Sequence, residues 1–220
     1  MKQGVLQHNR RLLDEAFASQ IASNTGQSWS TGIDFLDHRL PEGGLNRSGL
    51  HEIEPFRQTD MPALTGFAFA LLSRLRSSQP IIWCVTAQQI GEYGQPYAFG
   101  LERYGISPAQ IIFVKVRSAL DLHFAMEEAI KTDNVAAVLA EGPRPSFTGS
   151  RRLSLLCKTH RRPCLLLGGN ADQALGSAAL TRWQIKPEQS QEDPRDPFGP
   201  GLPTWRIALA RIRGGSAMPQ

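Results

Sequence analysis

The segment between residues 55 and 62 carries the side chains that decide whether this chain can bind a nucleotide. It lies between an apolar stretch at 49–55, which predicts a strand, and an apolar stretch at 62–77, which predicts a helix. A phosphate-binding loop at this place needs glycines that expose consecutive backbone N–H groups, a lysine, and a hydroxyl that holds magnesium. The side chains that end the segment are instead Asp60, Met61 and Pro62.

The residues of this loop oppose phosphate binding. The pattern G-x-x-x-x-G-K-[ST] occurs neither here nor elsewhere in the sequence. Asp60 would bring a negative charge close to any bound phosphate, and Pro62 has no N–H group to donate. The sequence therefore predicts that conventional ATP binding is absent, and it leaves a weak ATPase with an unconventional loop as an alternative.

Glu141 is the other candidate for nucleotide chemistry. It ends an apolar stretch at 134–142 that predicts a buried strand, the place where an ATPase carries a magnesium-coordinating acid. A single acid there also caps a helix or pairs with an arginine, and we favour this structural role. The sequence contains no HExxH pattern, no G-x-S-x-G pattern and no cysteine pair with metal-ligand spacing. We therefore predict no catalytic residue, no metal and no cofactor, which favours a binding or regulatory protein over an enzyme.

Arginine is concentrated in the last third of the chain. Residues 144–220 hold 12 basic and 5 acidic side chains, although the whole chain has a net charge of only +4. Arginine suits both phosphate contacts and protein interfaces, so this region is predicted to meet an anionic or protein partner. A solvated basic surface is the alternative, in particular for the two arginines that begin a predicted helix. The candidate residues are Arg151, Arg152, Arg161, Arg162, Arg206, Arg211 and Arg213.

Composition and length predict one α/β domain with extra terminal segments. The chain has 220 residues, and 41% of them are hydrophobic. No apolar run approaches the roughly 18 residues of a membrane span, and the N-terminus lacks the apolar segment of a secretory signal. The three cysteines lie in apolar runs, as buried reduced thiols do. We therefore expect a cytoplasmic protein that does not contact a membrane.

Strand-like and helix-like stretches alternate from residue 49 to residue 169. This alternation predicts a mostly parallel sheet flanked by helices. Two further strand-like stretches, at 181–187 and 204–213, predict an antiparallel pair at one edge of the sheet. An amphipathic N-terminal helix with its linker is assigned to residues 1–24, the core to 25–187, and a Pro/Gly-rich loop, C-terminal strand and basic tail to 188–220.

Several segments together resemble one known family. STGIDFLDHRLPEGGLNRSGLHEI at 30–53 resembles the entry to a RecA-like (P-loop NTPase-type) core, and within that superfamily the sequence is most similar to the ImuA family. The resemblance extends through AMEEAIKTDNVAAVLAEG at 125–142 and SRRLSLLCKTHRRPCLLL at 150–167. It ends with FGPGLPTWRIALARIRGG at 198–215. Laid on the RecA pattern, the lysine and hydroxyl positions of the P-loop fall on Met61 and Pro62.

The resemblance implies a degenerate RecA-like core with a role in DNA-damage tolerance. ImuA-like proteins belong to bacterial SOS mutagenesis cassettes and act with ImuB and an error-prone DNA polymerase in synthesis past lesions. Contacts with ImuB, RecA or DNA are the implied mode of action, without enzymatic activity. A second hypothesis is a single-stranded DNA-binding relative of RecA whose affinity depends on the arginines of the C-terminal third.

Overall fold

The computed structural model describes residues 27–213, except for 96, 170–175, 193, 195–198 and 200. The predicted N-terminal helix and the last part of the basic tail lie outside the described residues. The strands are β1 (Ser28–Trp29), β2 (Leu45–Asn46), β3 (Leu50–Pro55), β4 (Ile81–Thr86), β5 (Ile111–Val116), β6 (Ala137–Glu141), β7 (Cys164–Leu167), β8 (Thr181–Gln191) and β9 (Leu202–Ile212). The helices are α1 (Asp34–Asp37), α2 (Met61–Leu72), α3 (Ala87–Tyr93), α4 (Ala98–Glu102), α5 (Ala119–Lys131) and α6 (Phe147–His160).

One seven-stranded sheet organises the fold, in the order β5-β4-β6-β7-β3-β8-β9. The first six strands of this order run parallel, and β9 closes one edge antiparallel to β8. The predicted α/β class, the mostly parallel sheet and the antiparallel C-terminal pair are therefore confirmed. Strands β1 and β2 form a separate small antiparallel pair ahead of the main sheet.

Each face of the sheet is covered by helices, because the central strands carry apolar side chains on both faces. All five residues of β6 and all six of β4 are buried. Helix α2 supplies Leu64 and Phe67 to the core on one face. Helices α5 and α6 supply Met126 and Leu153 to the core on the other face. Near-continuous apolar runs are typical of parallel strands enclosed in this way.

The region between β4 and β5 differs from the prediction. The sequence at 95–104 predicts a single helix, whereas the chain forms α3 directly after β4 and then the short helix α4. Thr86 caps α3, because its hydroxyl accepts a hydrogen bond from the Gln89 N–H at 3.4 Å. Gly94 ends α3 with a φ of 87°, a conformation that favours glycine. This arrangement places α3 and the following turn beside the carboxyl end of β4.

Candidate functional site

The loop after β3 holds the residues that replace the expected phosphate-binding side chains. It forms a short 3-10 turn, and a carboxylate oxygen of Asp60 accepts a hydrogen bond from the Arg57 N–H at 3.0 Å. Met61 begins α2 with its side chain in the core, only 2% exposed. Pro62, in the first turn, is exposed. The Asp60 carboxylate thus binds its own loop, and neither neighbouring side chain offers a charge or a donor to a phosphate.

Glu141 lies at the carboxyl end of β6, on the face that α2 covers. Its Oε1 accepts hydrogen bonds from the hydroxyl of Thr65 at 2.9 Å and from the indole N–H of Trp83 at 3.1 Å. Burial raises the pKa of Glu141 to about 7, although both hydrogen bonds act in the opposite direction. Of the two structural roles expected, a helix cap and an arginine pair, neither is found within the described residues.

An open cleft of about 370 Å³ lies above Glu141. It adjoins the first turn of α2, which brings Pro62 and Glu141 to the same cleft. The other walls come from β4, α3, the turn after α3, and the edge strand β5. We call this the Glu141 cleft; its side chains include Pro62, Thr65, Trp83, Gln89, Tyr93, Tyr97, Phe113 and Glu141.

Four of the seven candidate arginines line a second surface, between α6 and the end of β9. A cleft of about 460 Å³ contains Arg151, Arg211 and Arg213, and an adjoining cleft of about 870 Å³ contains Arg161 and again Arg213. Sequence reasoning did not single out Lys158, which lines both clefts, or Arg47, which lines the larger one. We call the two together the basic cleft, defined by Arg47, Arg151, Lys158, Arg161, Arg211 and Arg213.

The other three candidate arginines have separate structural partners. Arg152 lies 2.6 Å from a carboxylate oxygen of Glu127 on the neighbouring helix α5. Arg206 pairs with Glu188 across the β8–β9 hairpin at 2.7 Å. Arg162 donates to the carbonyl of Ile130 at the end of α5, at 3.0 Å. The alternative of a solvated or structural arginine therefore fits these three positions. Arg211 also makes a structural contact, because it donates to the carbonyl of Ser177.

A buried ion-pair network lies beside β3 and was missed by the sequence analysis. Arg144 Nη1 lies 2.6 Å from Oε1 of Glu54, and Arg182 Nε lies 3.0 Å from Oε2 of Glu52. The hydroxyl of Ser177 also donates to Glu52. Burial raises the pKa of Glu54 even though both arginines favour its charged form. The signal in the sequence was the spacing HEIEP, which puts two acids on one face of an otherwise apolar strand.

The described part of the chain contains no cluster of histidine, cysteine and carboxylate side chains that would hold a metal ion. Among the same residues, no helix has the length and apolar character needed to cross a membrane.

Comparison with known proteins identifies relatives that align over most of the chain. No protein-family model matches the chain. Protein ImuA of Caulobacter vibrioides strain NA1000 / CB15N is 33% identical over 199 residues, an alignment that covers 84% of this chain and 79% of the relative. Protein ImuA of Caulobacter vibrioides strain ATCC 19089 / CIP 103742 / CB 15 matches with the same identity and coverage.

Proposed function

The chain belongs to the ImuA family, and from that premise we propose that it is a non-enzymatic accessory protein of SOS-induced translesion DNA synthesis. In this proposal it acts through contacts with ImuB, RecA or DNA and works beside an error-prone DNA polymerase. The observation that carries the non-enzymatic part is the loop after β3. On the RecA pattern that the sequence resembles, the lysine and hydroxyl positions of a P-loop fall on Met61, whose thioether is buried, and on Pro62.

We infer that the core is RecA-like, and the strand order supports this inference. In the dinucleotide-binding and flavodoxin-like orders, the first strand of the sheet is next to the second. Here the first core strand, β3, lies between β7 and β8, three positions away from β4. A RecA-type nucleotide site would need a strand followed by a loop and a helix, and an acid at the end of another strand. The first part corresponds to β3, the loop after it and α2, and the acid corresponds to Glu141 at the end of β6.

The loss of phosphate-binding groups from the loop after β3 supports a role in binding other macromolecules. A P-loop binds phosphate through a lysine and consecutive backbone N–H groups. This loop has neither the lysine nor, at Pro62, the N–H group, and the Asp60 carboxylate adds negative charge. The fold nevertheless retains a fully packed core on both faces of its sheet. A packed core without phosphate-binding residues is consistent with a protein that acts by binding other molecules.

Affinity capture tests the proposal directly. The tagged full chain is immobilised, and purified ImuB and purified RecA are passed over it separately, with an unrelated tagged protein as the control bait. We expect retention of at least one of the two on the chain and of neither on the control bait. Absence of binding to both would contradict a role through protein contacts and would leave only contact with DNA.

A second candidate function is binding of single-stranded DNA, and the basic cleft favours it. Five arginines and Lys158 line it; Arg151 and Lys158 lie on the exposed side of α6, and Arg161 follows the end of that helix. Among the described residues that line it, Glu42 is the one acid, so the surface has an excess of positive charge. Basic grooves of this kind follow a phosphate backbone without reading its sequence.

A further inference from the structure

The Glu141 cleft contains two hydrogen-bond acceptors that lack a donor within the described residues. Thr65 and Trp83 both donate to Oε1 of Glu141, which leaves Oε2 without a hydrogen bond from the described chain. The side-chain oxygen of Gln89, in the same cleft, is buried and also has no donor there. An unsatisfied buried acceptor costs about 1–3 kcal/mol, so the buried Gln89 oxygen in particular favours a ligand that donates a hydrogen bond.

The charge of the cleft selects a cation over an anion. Within the part of the chain that the structure describes, no lysine, arginine or histidine forms a salt bridge with Glu141. A cation close to Oε2 would offset the burial of the carboxylate, because opposite charge favours the ionised form. A phosphate in the same place would be repelled. The cleft therefore has a charge opposite to that of a phosphate-binding site.

The walls of the cleft are aromatic. The rings of Trp83 and Phe113 pack edge to face with their centroids 5.3 Å apart. Tyr93 forms part of the lining, and Tyr97, 71% exposed, stands at the mouth. An arginine guanidinium stacks on aromatic faces and presents five donors in a planar fork, whereas a lysine ammonium is a compact and more strongly hydrated charge. Two unsatisfied acceptors beside aromatic rings fit the guanidinium better.

The surroundings of the mouth indicate that the guanidinium comes from a protein. Tyr97 and Phe99 pack against each other with ring centroids 5.4 Å apart, and both are largely exposed. Exposed aromatic side chains beside a pocket are typical of protein interfaces, and a free small cation would leave them uncovered.

We propose that the Glu141 cleft receives an arginine side chain of a partner protein. The guanidinium donates to Oε2 of Glu141 and to the side-chain oxygen of Gln89, while its face lies against the aromatic wall. The partner backbone remains outside, against Tyr97 and Phe99. This inference does not depend on which protein supplies the arginine, so it is separate from the proposed function.

The test is an NMR titration of the isotope-labelled full chain, following the side-chain amide of Gln89 and the carboxyl carbon of Glu141. The probes are a neutral heptapeptide with one central arginine, the same peptide with lysine, the same peptide with uncharged citrulline, and free N-acetyl-argininamide. We expect the arginine peptide to bind saturably, at least threefold more tightly than the lysine peptide and at least tenfold more tightly than the citrulline peptide.

Two variants and a control link this binding to the cleft. Glu141→Gln should weaken binding of the arginine peptide at least tenfold, and Tyr97→Ala, which changes only an exposed side chain, at least threefold. Glu128→Gln removes an exposed carboxylate on α5 and should leave the affinity within twofold. Equal binding of the arginine and citrulline peptides, or unchanged binding by Tyr97→Ala, would overturn the proposal. Binding of free N-acetyl-argininamide without binding of the arginine peptide would overturn it as well, because the cleft would then be a small-molecule site.

Discussion

Thr65 and Glu141 join α2 to β6 through a 2.9 Å hydrogen bond at the base of the Glu141 cleft. In this arrangement the threonine hydroxyl donates a hydrogen bond within the fold. The indole of Trp83 donates to the same carboxylate oxygen and holds it in place from β4. The carboxyl group is thus bound on one side by the fold, and its other oxygen remains available to the cleft.

The buried carboxyl makes stability depend on pH in a defined direction. The pKa of Glu141 is about 7 in the folded protein against an ordinary value of 4.5, so between these pH values the native state keeps a proton that the unfolded chain releases. The free energy of unfolding should therefore fall as pH rises through this window, by at most about 3 kcal/mol. Glu141→Gln has no carboxyl group to titrate. Its free energy of unfolding should therefore exceed that of the parent by about 1–3 kcal/mol at pH 8 and equal it near pH 4.

Urea unfolding of both proteins at several pH values measures this difference. His51 also titrates abnormally, because burial lowers its pKa to about 4, but it is present in both proteins and cancels in the comparison. Glu128→Gln serves as the matched control and should show no pH-dependent difference from the parent. A stability gap between Glu141→Gln and the parent that stays constant from pH 4 to pH 8 would argue against a buried, titrating carboxyl.

ATP should not stabilise the protein. A ligand that binds only the native state adds about 2.7 kcal/mol at one hundred times its Kd, which raises the melting temperature measurably. Because Met61 and Pro62 supply neither charge nor donor, we expect a constant melting temperature from zero to millimolar ATP with magnesium. A rise that saturates with ATP would instead support the weak ATPase with an unconventional loop.

Replacing arginines of the basic cleft should weaken the binding of single-stranded DNA, whereas replacing arginines that form ion pairs should not. Arg151→Ala combined with Arg213→Ala is expected to lower the affinity for single-stranded DNA about tenfold at low salt. Each phosphate contact contributes roughly 0.7 to the slope of log affinity against log salt, so the slope should become shallower by roughly 1.4. Fluorescence anisotropy with a labelled oligonucleotide measures both quantities.

The matched control for this experiment removes the same charge elsewhere. Arg152→Ala with Arg206→Ala deletes two arginines that pair with Glu127 and Glu188. We expect this double variant to keep its affinity within twofold. If the two double variants lose affinity equally, the effect is one of net charge and the basic cleft has no special role. Absent or salt-independent binding by the parent would remove the DNA hypothesis altogether.

Arg144 should be essential for stability, because its removal leaves a buried carboxylate without its closest cation. Breaking a buried pair from one side costs about 3–5 kcal/mol. Arg144→Ala is therefore expected to lower the free energy of unfolding by about that amount, measured in urea at pH 7. Arg206→Ala, at an exposed pair, should change it by less than about 1 kcal/mol. Adding Glu54→Gln to Arg144→Ala should recover part of the loss, and a loss near zero for Arg144→Ala would contradict the account.

The sheet and the altered loop after β3 could both be predicted from the sequence. The nearly continuous apolar run at 80–87 is typical of a strand buried on both faces, and β4 is buried along its whole length. Met61 and Pro62 could be placed at the start of α2 because the strand before them and the helix after them both have clear patterns. In this part of the chain, local sequence and tertiary packing require the same structure.

The partners of charged side chains could not be predicted, because they come from distant parts of the chain. Glu54 and Arg144 are 90 residues apart, and only the sheet order brings them together. Arg151 and Arg152 are neighbours in sequence, but one turns toward the basic cleft and the other toward Glu127 on α5. A cluster of arginines in the sequence therefore indicated a basic region without showing which members remain available to a partner.

The central claim is that this chain acts through protein contacts that do not need a nucleotide. Its most direct test is a calorimetric titration of the full chain with ImuB, with and without magnesium-ATP, accompanied by a titration with RecA. We predict saturable binding to at least one of these proteins, an affinity for ImuB that changes less than twofold with ATP wherever that binding is seen, and no ATP hydrolysis by the chain. Binding to neither protein, or binding to ImuB that requires ATP and its hydrolysis by the chain, would contradict the claim.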